Sequence, residues 1–183
     1  LGIKRGDVVT IQSLSIPQVV YTIYALSKIG AVANLIFANA NADAVKASMA
    51  ETDSHVLVVM EPIFNAIRDK LSNANLSAII VMRIQDDMDF VTKTIYSIAT
   101  KAKTVKSEGY FLAWNAFYTT GAGKSVDVQG QSTDPVIMVY TGGTTGKPKA
   151  VVLSNQNINA GALQYVHLGF ERQKMMLCAL PPF

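Results

Sequence analysis

Tyr140-Thr141-Gly142-Gly143-Thr144-Thr145-Gly146-Lys147-Pro148-Lys149-Ala150-Val151-Val152-Leu153 is the stretch on which the reading of this chain turns. The apolar run Val136-Ile137-Met138-Val139 leads into it and Ala150 to Leu153 leads out, so two strands bracket a loop. Three glycines permit tight turns and leave backbone N–H groups unshielded by side chains. Successive exposed N–H groups form a concave nest for anions. Thr141, Thr144 and Thr145 add hydroxyl donors, Lys147 and Lys149 add positive charge, and Pro148 keeps a helix from starting early. Glycine and threonine are also ordinary turn residues. Here, however, hydroxyls, glycines and lysines coincide within the nine residues from Thr141 to Lys149. That combination suits a polyphosphate, and the stretch reads as a nucleotide-phosphate loop.

The order of residues excludes the commonest phosphate loop. G-x-x-x-x-G-K-[ST] requires a glycine where Thr141 stands and a hydroxyl where Pro148 stands, and it opens a helix rather than a strand. A second stretch, Gly121-Ala122-Gly123-Lys124-Ser125, ends correctly but has Tyr118 in place of the required glycine and no strand leading into it.

Outward from the loop, the chain alternates strand and helix. Val8 to Ile11 reads as a strand, Ser15 and Pro17 as a helix start, and Val19, Val20, Ile23, Leu26 and Gly30 as one buried stripe. Asn41 is placed to cap a helix reaching Asp53, with Val45 and Met49 on one face. His55 to Met60 is the clearest buried strand; Ile63, Ile67 and Leu71 mark a helix, and Ser77 to Met82 a further strand. The spacing of about 25 residues predicts an α/β fold, a parallel-rich sheet layered with flanking helices. Val91, Ile95 and Ile98 suggest another helix, Tyr110 to Trp114 a short helix with a core tryptophan, and Gly121 to Gln131 a linker. Ser154 is placed to cap a helix carrying Ile158, Leu163, Tyr165 and Val166.

Of the 183 residues, 50% are apolar and only 16% charged, the bias that buried parallel strands produce. A net charge of +3 with scattered lysines gives no case for nucleic acid. Cys178, the single cysteine, sits in an apolar run and reads as a buried thiol, with no partner for a disulfide or a metal site. The apolar region from Ile16 to Ala38 is broken by Pro17, Gln18 and Lys28 and does not read as a membrane span. A cytoplasmic location is expected. Lys101, Lys103 and Lys106 form a basic patch that reads first as a solvated helix end; weak contact with an anionic membrane surface is the sharper alternative. His55 and His167 read as packing or surface residues.

The loop resembles the phosphate-loop signature of the adenylate-forming enzymes, the superfamily of acyl-CoA synthetases, luciferases and peptide-synthetase adenylation domains. Their pattern is Tyr-Thr-Ser-Gly-Thr-Thr-Gly-x-Pro-Lys-Gly-Val, and this chain departs from it at Gly142 and Ala150 only. Loss of the serine hydroxyl removes a donor worth about 0.5–1.5 kcal/mol net where it is used. Gly6, Asp7 and Val9 and then Lys28, Gly30, Ala31 and Val32 resemble the family's opening, while Leu35-Ile36-Phe37-Ala38 replaces a usually proline-bearing segment. Where family members often carry a histidine, this chain has Asn155, which is given no catalytic role.

The resemblance implies that residues 1–183 are a partial N-terminal AMP-binding domain, an excised piece, with the remainder of that domain and a C-terminal lid domain belonging to the missing polypeptide. It implies ATP, Mg²⁺ and coenzyme A as co-reactants and a carboxylic acid as substrate. The phosphates are expected on Thr141, Gly142, Gly143, Thr144, Thr145, Gly146 and Lys149. No catalytic residue and no metal ligand is assigned here, because the family's Mg²⁺-binding Glu, ribose-binding Asp and adenylating Lys lie in later segments. The expected parent is an acyl-CoA synthetase of fatty-acid type, the isolated piece being inactive; a peptide-synthetase adenylation domain and a non-catalytic nucleotide-binding domain are the alternatives.

Overall fold

A computed structural model describes residues 1–71, 74–100, 107, 109–127, 130–142 and 148–169. Seven strands form one sheet in the order β5-β4-β3-β1-β2-β6-β7. They are β1 (Val8–Gln12), β2 (Val32–Ile36), β3 (Val56–Met60), β4 (Ala78–Met82), β5 (Phe111–Ala113), β6 (Pro135–Thr141) and β7 (Lys149–Ser154). Every neighbouring pair is parallel except β6 and β7 at the edge. The parallel-rich α/β architecture read from the sequence is therefore the one present. Each side chain of β2, β3 and β4 is buried, which explains why these strands read as continuous apolar runs.

Alternation divides the strands between two cores. Val9, Ile11, Ala33, Leu35, Val56, Val58 and Ile80 face α1 (Pro17–Ile29) and α5 (Trp114–Thr120). Leu57, Val59, Ile79 and Val81 face α2 (Ala42–Glu51) and α3 (Glu61–Ile67) on the opposite side. α1 begins with Pro17 in its first turn, where a missing N–H costs nothing. It ends at Gly30, which has φ 74°; a Cβ there would stand 2.8 Å from Cγ of Arg5, so both backbone and space demand glycine. Asn41 caps α2 by accepting from the N–H of Ala44, as its position predicts.

Three sequence expectations need correction. α1 is preceded by Ile16 as the capping residue, without a side-chain cap bond, rather than being started by Ser15. In its stripe Val20 lies exposed, and the buried partner of Val19 and Leu26 is Gln18. The Tyr110–Trp114 segment is not a helix: Phe111–Ala113 pairs with Ile79–Val81 as the edge strand β5, and α5 starts at Trp114. The sheet edge supplied hydrogen-bond partners that a short apolar run cannot reveal by its periodicity. The helix after Ser154 forms as expected, as α6 (Asn155–His167) with Ser154 as its cap, and none of its residues is buried.

α4 (Phe90–Thr100) forms where Val91, Ile95 and Ile98 suggest it, with all three exposed. Among the described residues no helix is long and apolar enough to cross a membrane. Lys101, Lys103, Lys106 and Cys178 lie outside the described residues.

Candidate functional site

The loop read as a phosphate binder joins β6 to β7 as a hairpin at the carboxyl edge of the sheet, the edge where open α/β sheets place their ligands. Apolar periodicity placed both flanking strands correctly, and the exit into a strand confirms that this is not the helix-opening phosphate loop. The decoy at Gly121 follows helix α5, with no strand before it. Of the expected phosphate contacts, Thr141, Gly142 and Lys149 are described; Gly143, Thr144, Thr145 and Gly146 lie outside the described residues.

Thr141 and Lys149 face each other as the last pair of the hairpin ladder, and the Thr141 hydroxyl donates to the Lys149 carbonyl at 3.4 Å. That bond is long, and the hydroxyl is exposed enough to exchange it for a ligand oxygen. Gly142 does not adopt a left-handed conformation, and a Cβ built there meets nothing within 4 Å. A serine fits this position, so the glycine leaves open space beside the backbone rather than answering a steric demand. Ala150 has no positive φ either: among the described residues Asp53 is the one non-glycine with φ above zero. The second departure from the signature is thus conformationally neutral. Lys149 is exposed, and among the described residues it forms no salt bridge, which leaves its ammonium free for an anion.

Two anchors hold the hairpin. At its base Asp134 accepts from Arg5 at 2.7 Å and from the N–H of Gln131 at 2.8 Å, and these bonds hold its carboxyl below the usual carboxylate range, the Gln131 bond most of all. Asn155, in the family's histidine position, donates to the Gln131 carbonyl and accepts from the Ser27 hydroxyl. Its side chain is a structural link between α6, α1 and the turn at Gln131. At the loop end, the Tyr140 hydroxyl lies 2.9 Å from Oγ of Ser48 on α2. Sequence reasoning missed both anchors. A polar Ser48 inside the otherwise apolar Val45–Met49 face was the available signal for the second.

A charged cluster stands further along the same carboxyl edge. Arg83 pairs with Asp86 at 2.9 Å, and Asn115 donates to the same carboxylate. Burial raises the carboxyl of Glu61 above its ordinary value, with Asp86 adding to that and Arg83 opposing it. Burial and then Asp86 likewise raise Asp87. Both histidines are structural: His55 contacts the Asn75 carbonyl and the Asp53 carboxylate, and His167 the Leu163 carbonyl. No group of three or more His, Cys, Asp or Glu among the described residues could hold a metal ion.

The hairpin loop, its signature and the surrounding sheet define a class, and the chain belongs to it: residues 1–183 match the family model of AMP-binding enzymes throughout. Among curated relatives, the acetyl-coenzyme A synthetase of Escherichia coli (strain K12) is 27% identical over 180 residues. That alignment takes in 93% of this chain, and the chain spans 25% of the length of that relative. A long-chain-fatty-acid-CoA ligase from Archaeoglobus fulgidus superposes with a TM-score of 0.69 at 23% identity, over 92% of this chain and 29% of its own. A Brucella canis acyl-CoA synthetase gives 0.69 at 19% identity, over 95% of this chain and 28% of its own. At those identities the structural likeness is one of fold.

Proposed function

We propose that this chain carries the ATP-phosphate-binding part of an acyl-CoA synthetase, an acid–thiol ligase. Such an enzyme joins a carboxylate to ATP as an acyl-adenylate with release of pyrophosphate, then exchanges AMP for the thiol of coenzyme A. The observation that carries the reading is the Tyr140–Leu153 signature standing as a strand–loop–strand hairpin at the carboxyl edge of the sheet, in a chain of the AMP-binding family. The similarity to acetyl-coenzyme A synthetases supports a carboxylic acid as substrate.

In this reading the residues do electrostatic work. Attack of a carboxylate oxygen on the α-phosphorus needs the charge on the β- and γ-phosphates relieved, so that pyrophosphate can depart. By this assignment Thr141, Thr144 and Thr145 supply hydroxyl donors, Gly142, Gly143 and Gly146 carry no side chain to shield an N–H, and Lys149 adds a point charge. Open space at Gly142 and a Lys149 ammonium that forms no salt bridge among the described residues fit a polyphosphate. Mg²⁺, when bound, would neutralise part of the phosphate charge. Among the described residues no group of three or more His, Cys, Asp or Glu could hold it.

Calorimetric titration of Mg·ATP into this chain and into a Lys149→Ala, Thr144→Ala variant tests the assignment. Binding that weakens about tenfold or more in the variant is the expected result, with no ATP–pyrophosphate exchange by either protein. Equal binding by both would overturn the loop's role, and exchange by the chain alone would overturn its dependence on other segments.

A further inference from the structure

Tyr140 occupies an unusual place in the hairpin. The parallel ladder between β2 and β6 runs through Ala33↔Ile137, Asn34↔Met138 and Leu35↔Val139 and then stops. Tyr140 and Thr141 lie beyond that ladder and pair with Ala150 and Lys149 of the hairpin's other arm. On the α2 side an open cavity of about 310 Å³ separates the stem from the helix, lined by Ala40, Ala44, Ala47, Ser48, Tyr140 and Pro148 among others. The Tyr140 ring rests partly on the Leu57–Val81 core, and its hydroxyl meets Ser48 at 2.9 Å, the one side-chain hydrogen bond of Tyr140 among the described residues.

Ser48 is itself fixed from below. Asn34, fully buried on β2, donates from Nδ2 to Oγ of Ser48 at 2.9 Å and to Oγ1 of Thr10 at 3.2 Å. Thr10 on β1 donates to Oγ of Ser54 at 2.9 Å, and Ser54 donates to the Val56 carbonyl. A relay of buried side chains thus runs from the start of β3, across β1 and β2, to α2 and the loop. Its members are polar in positions where the fold elsewhere places Val, Leu or Ile. Buried hydroxyls and amides at such positions lower stability unless they are bonded, and once bonded they specify a single arrangement.

We propose that Ser48 and Asn34 are positioning residues for the phosphate loop. Through Tyr140 they set the direction in which the hairpin stem leaves the sheet, so that Thr141, Gly142 and Lys149 are oriented before an anion arrives. This rests on the assignment of the loop as the phosphate site. The gain is preorganisation: donors already in place need no reordering when charge develops on the ligand.

Amide hydrogen exchange on the whole chain tests the proposal without any nucleotide. In Ser48→Ala and in Tyr140→Phe, the amides of Thr141, Lys149 and Ala150 are expected to exchange about tenfold faster, while those of Val58 and Ile80 in the central strands keep their protection. Ser48→Thr, which retains the hydroxyl, should restore the slow exchange. A purely structural role would accelerate stem and centre by the same factor. That result, or an unchanged stem, would overturn the proposal. Failure of the wild-type chain to bind Mg·ATP would instead count against the loop's assignment, and the exchange comparison would still decide whether Ser48 orders the stem.

Discussion

Glu61 illustrates how a single side chain can be set against its own charge. It opens α3 directly after β3, so its carboxylate lies near a helix N-terminus, which favours the anion. Burial outweighs this and raises its affinity for a proton above the ordinary 4.5. A carboxyl whose folded affinity is raised contributes stability that is complete below the unfolded value and is lost as pH rises through the folded one. Glu61→Gln should therefore melt at a higher temperature than wild type at pH 7.5, with the difference vanishing at pH 4 and below. Thermal melts at the two pH values check this; a variant less stable at pH 7.5 would show that the Arg83 attraction prevails. Residue chemistry also explains why the two departures from the loop signature are tolerated. Gly142 stands in open space without a left-handed φ, and Ala150 keeps a negative one.

At the scale of elements, β5 and α5 show how an edge is closed. β5 has three residues, too few to stand alone, and the chain passes from Ala113 directly into α5. Trp114 is the hinge between them and is 6% exposed, set in the α1-side core with Phe117 and Tyr118 at ring-centroid distances of 6.4 and 6.3 Å. Trp114→Ala removes the largest side chain on that side of the edge and should cost about 3–5 kcal/mol in denaturant unfolding. A loss below about 1 kcal/mol would mean that Phe117 and Tyr118 collapse into the space. The tryptophan's core placement was readable from sequence, whereas its secondary structure was not. A five-residue apolar run is compatible with either period, and pairing with Ile79–Val81 decided between them.

Across the whole molecule, the contact between Arg5 and Asp134 ties the first turn of the chain to the base of the loop hairpin, 129 residues away. Asp134 has its carboxyl lowered, chiefly by the Gln131 N–H and then by Arg5. Stability from a lowered carboxyl is present above the ordinary value of 3.8 and is lost as pH falls through the folded one. Asp134→Asn is thus expected to lower the melting temperature at pH 7, with the gap closing below pH 3.8 as the wild type also becomes protonated. A gap that persists in acid would assign the effect to the amide's geometry rather than to charge. This clasp closes a long loop, so its removal should also loosen the start of β6, which is then held by the first residues of α6, Asn155 and Gln156, through their bonds to Gln131, Ser132 and Asp134.

The sequence by itself determined the parallel strands, most of the helices between them, the caps at Asn41 and Ser154, and the two strands that flank the loop. Each follows from local rules: unbroken apolar runs for strands buried on both faces, and short polar side chains that bond their own backbone at helix starts. The loop signature, with Thr, Gly and Lys at fixed spacing, was legible for the same reason, since its chemistry is contained in contiguous residues. Only the tertiary structure decided the strand order, which sends β3 to one side of β1 and β2 to the other. It alone turned Phe111–Ala113 into an edge strand and exposed Val20. It also brought Thr10, Asn34, Ser48 and Tyr140 into one relay, although 130 positions separate the first from the last. Such partners share no local pattern: the hydrogen bonds that join them exist only after the sheet has assembled, and nothing in any one segment specifies the others.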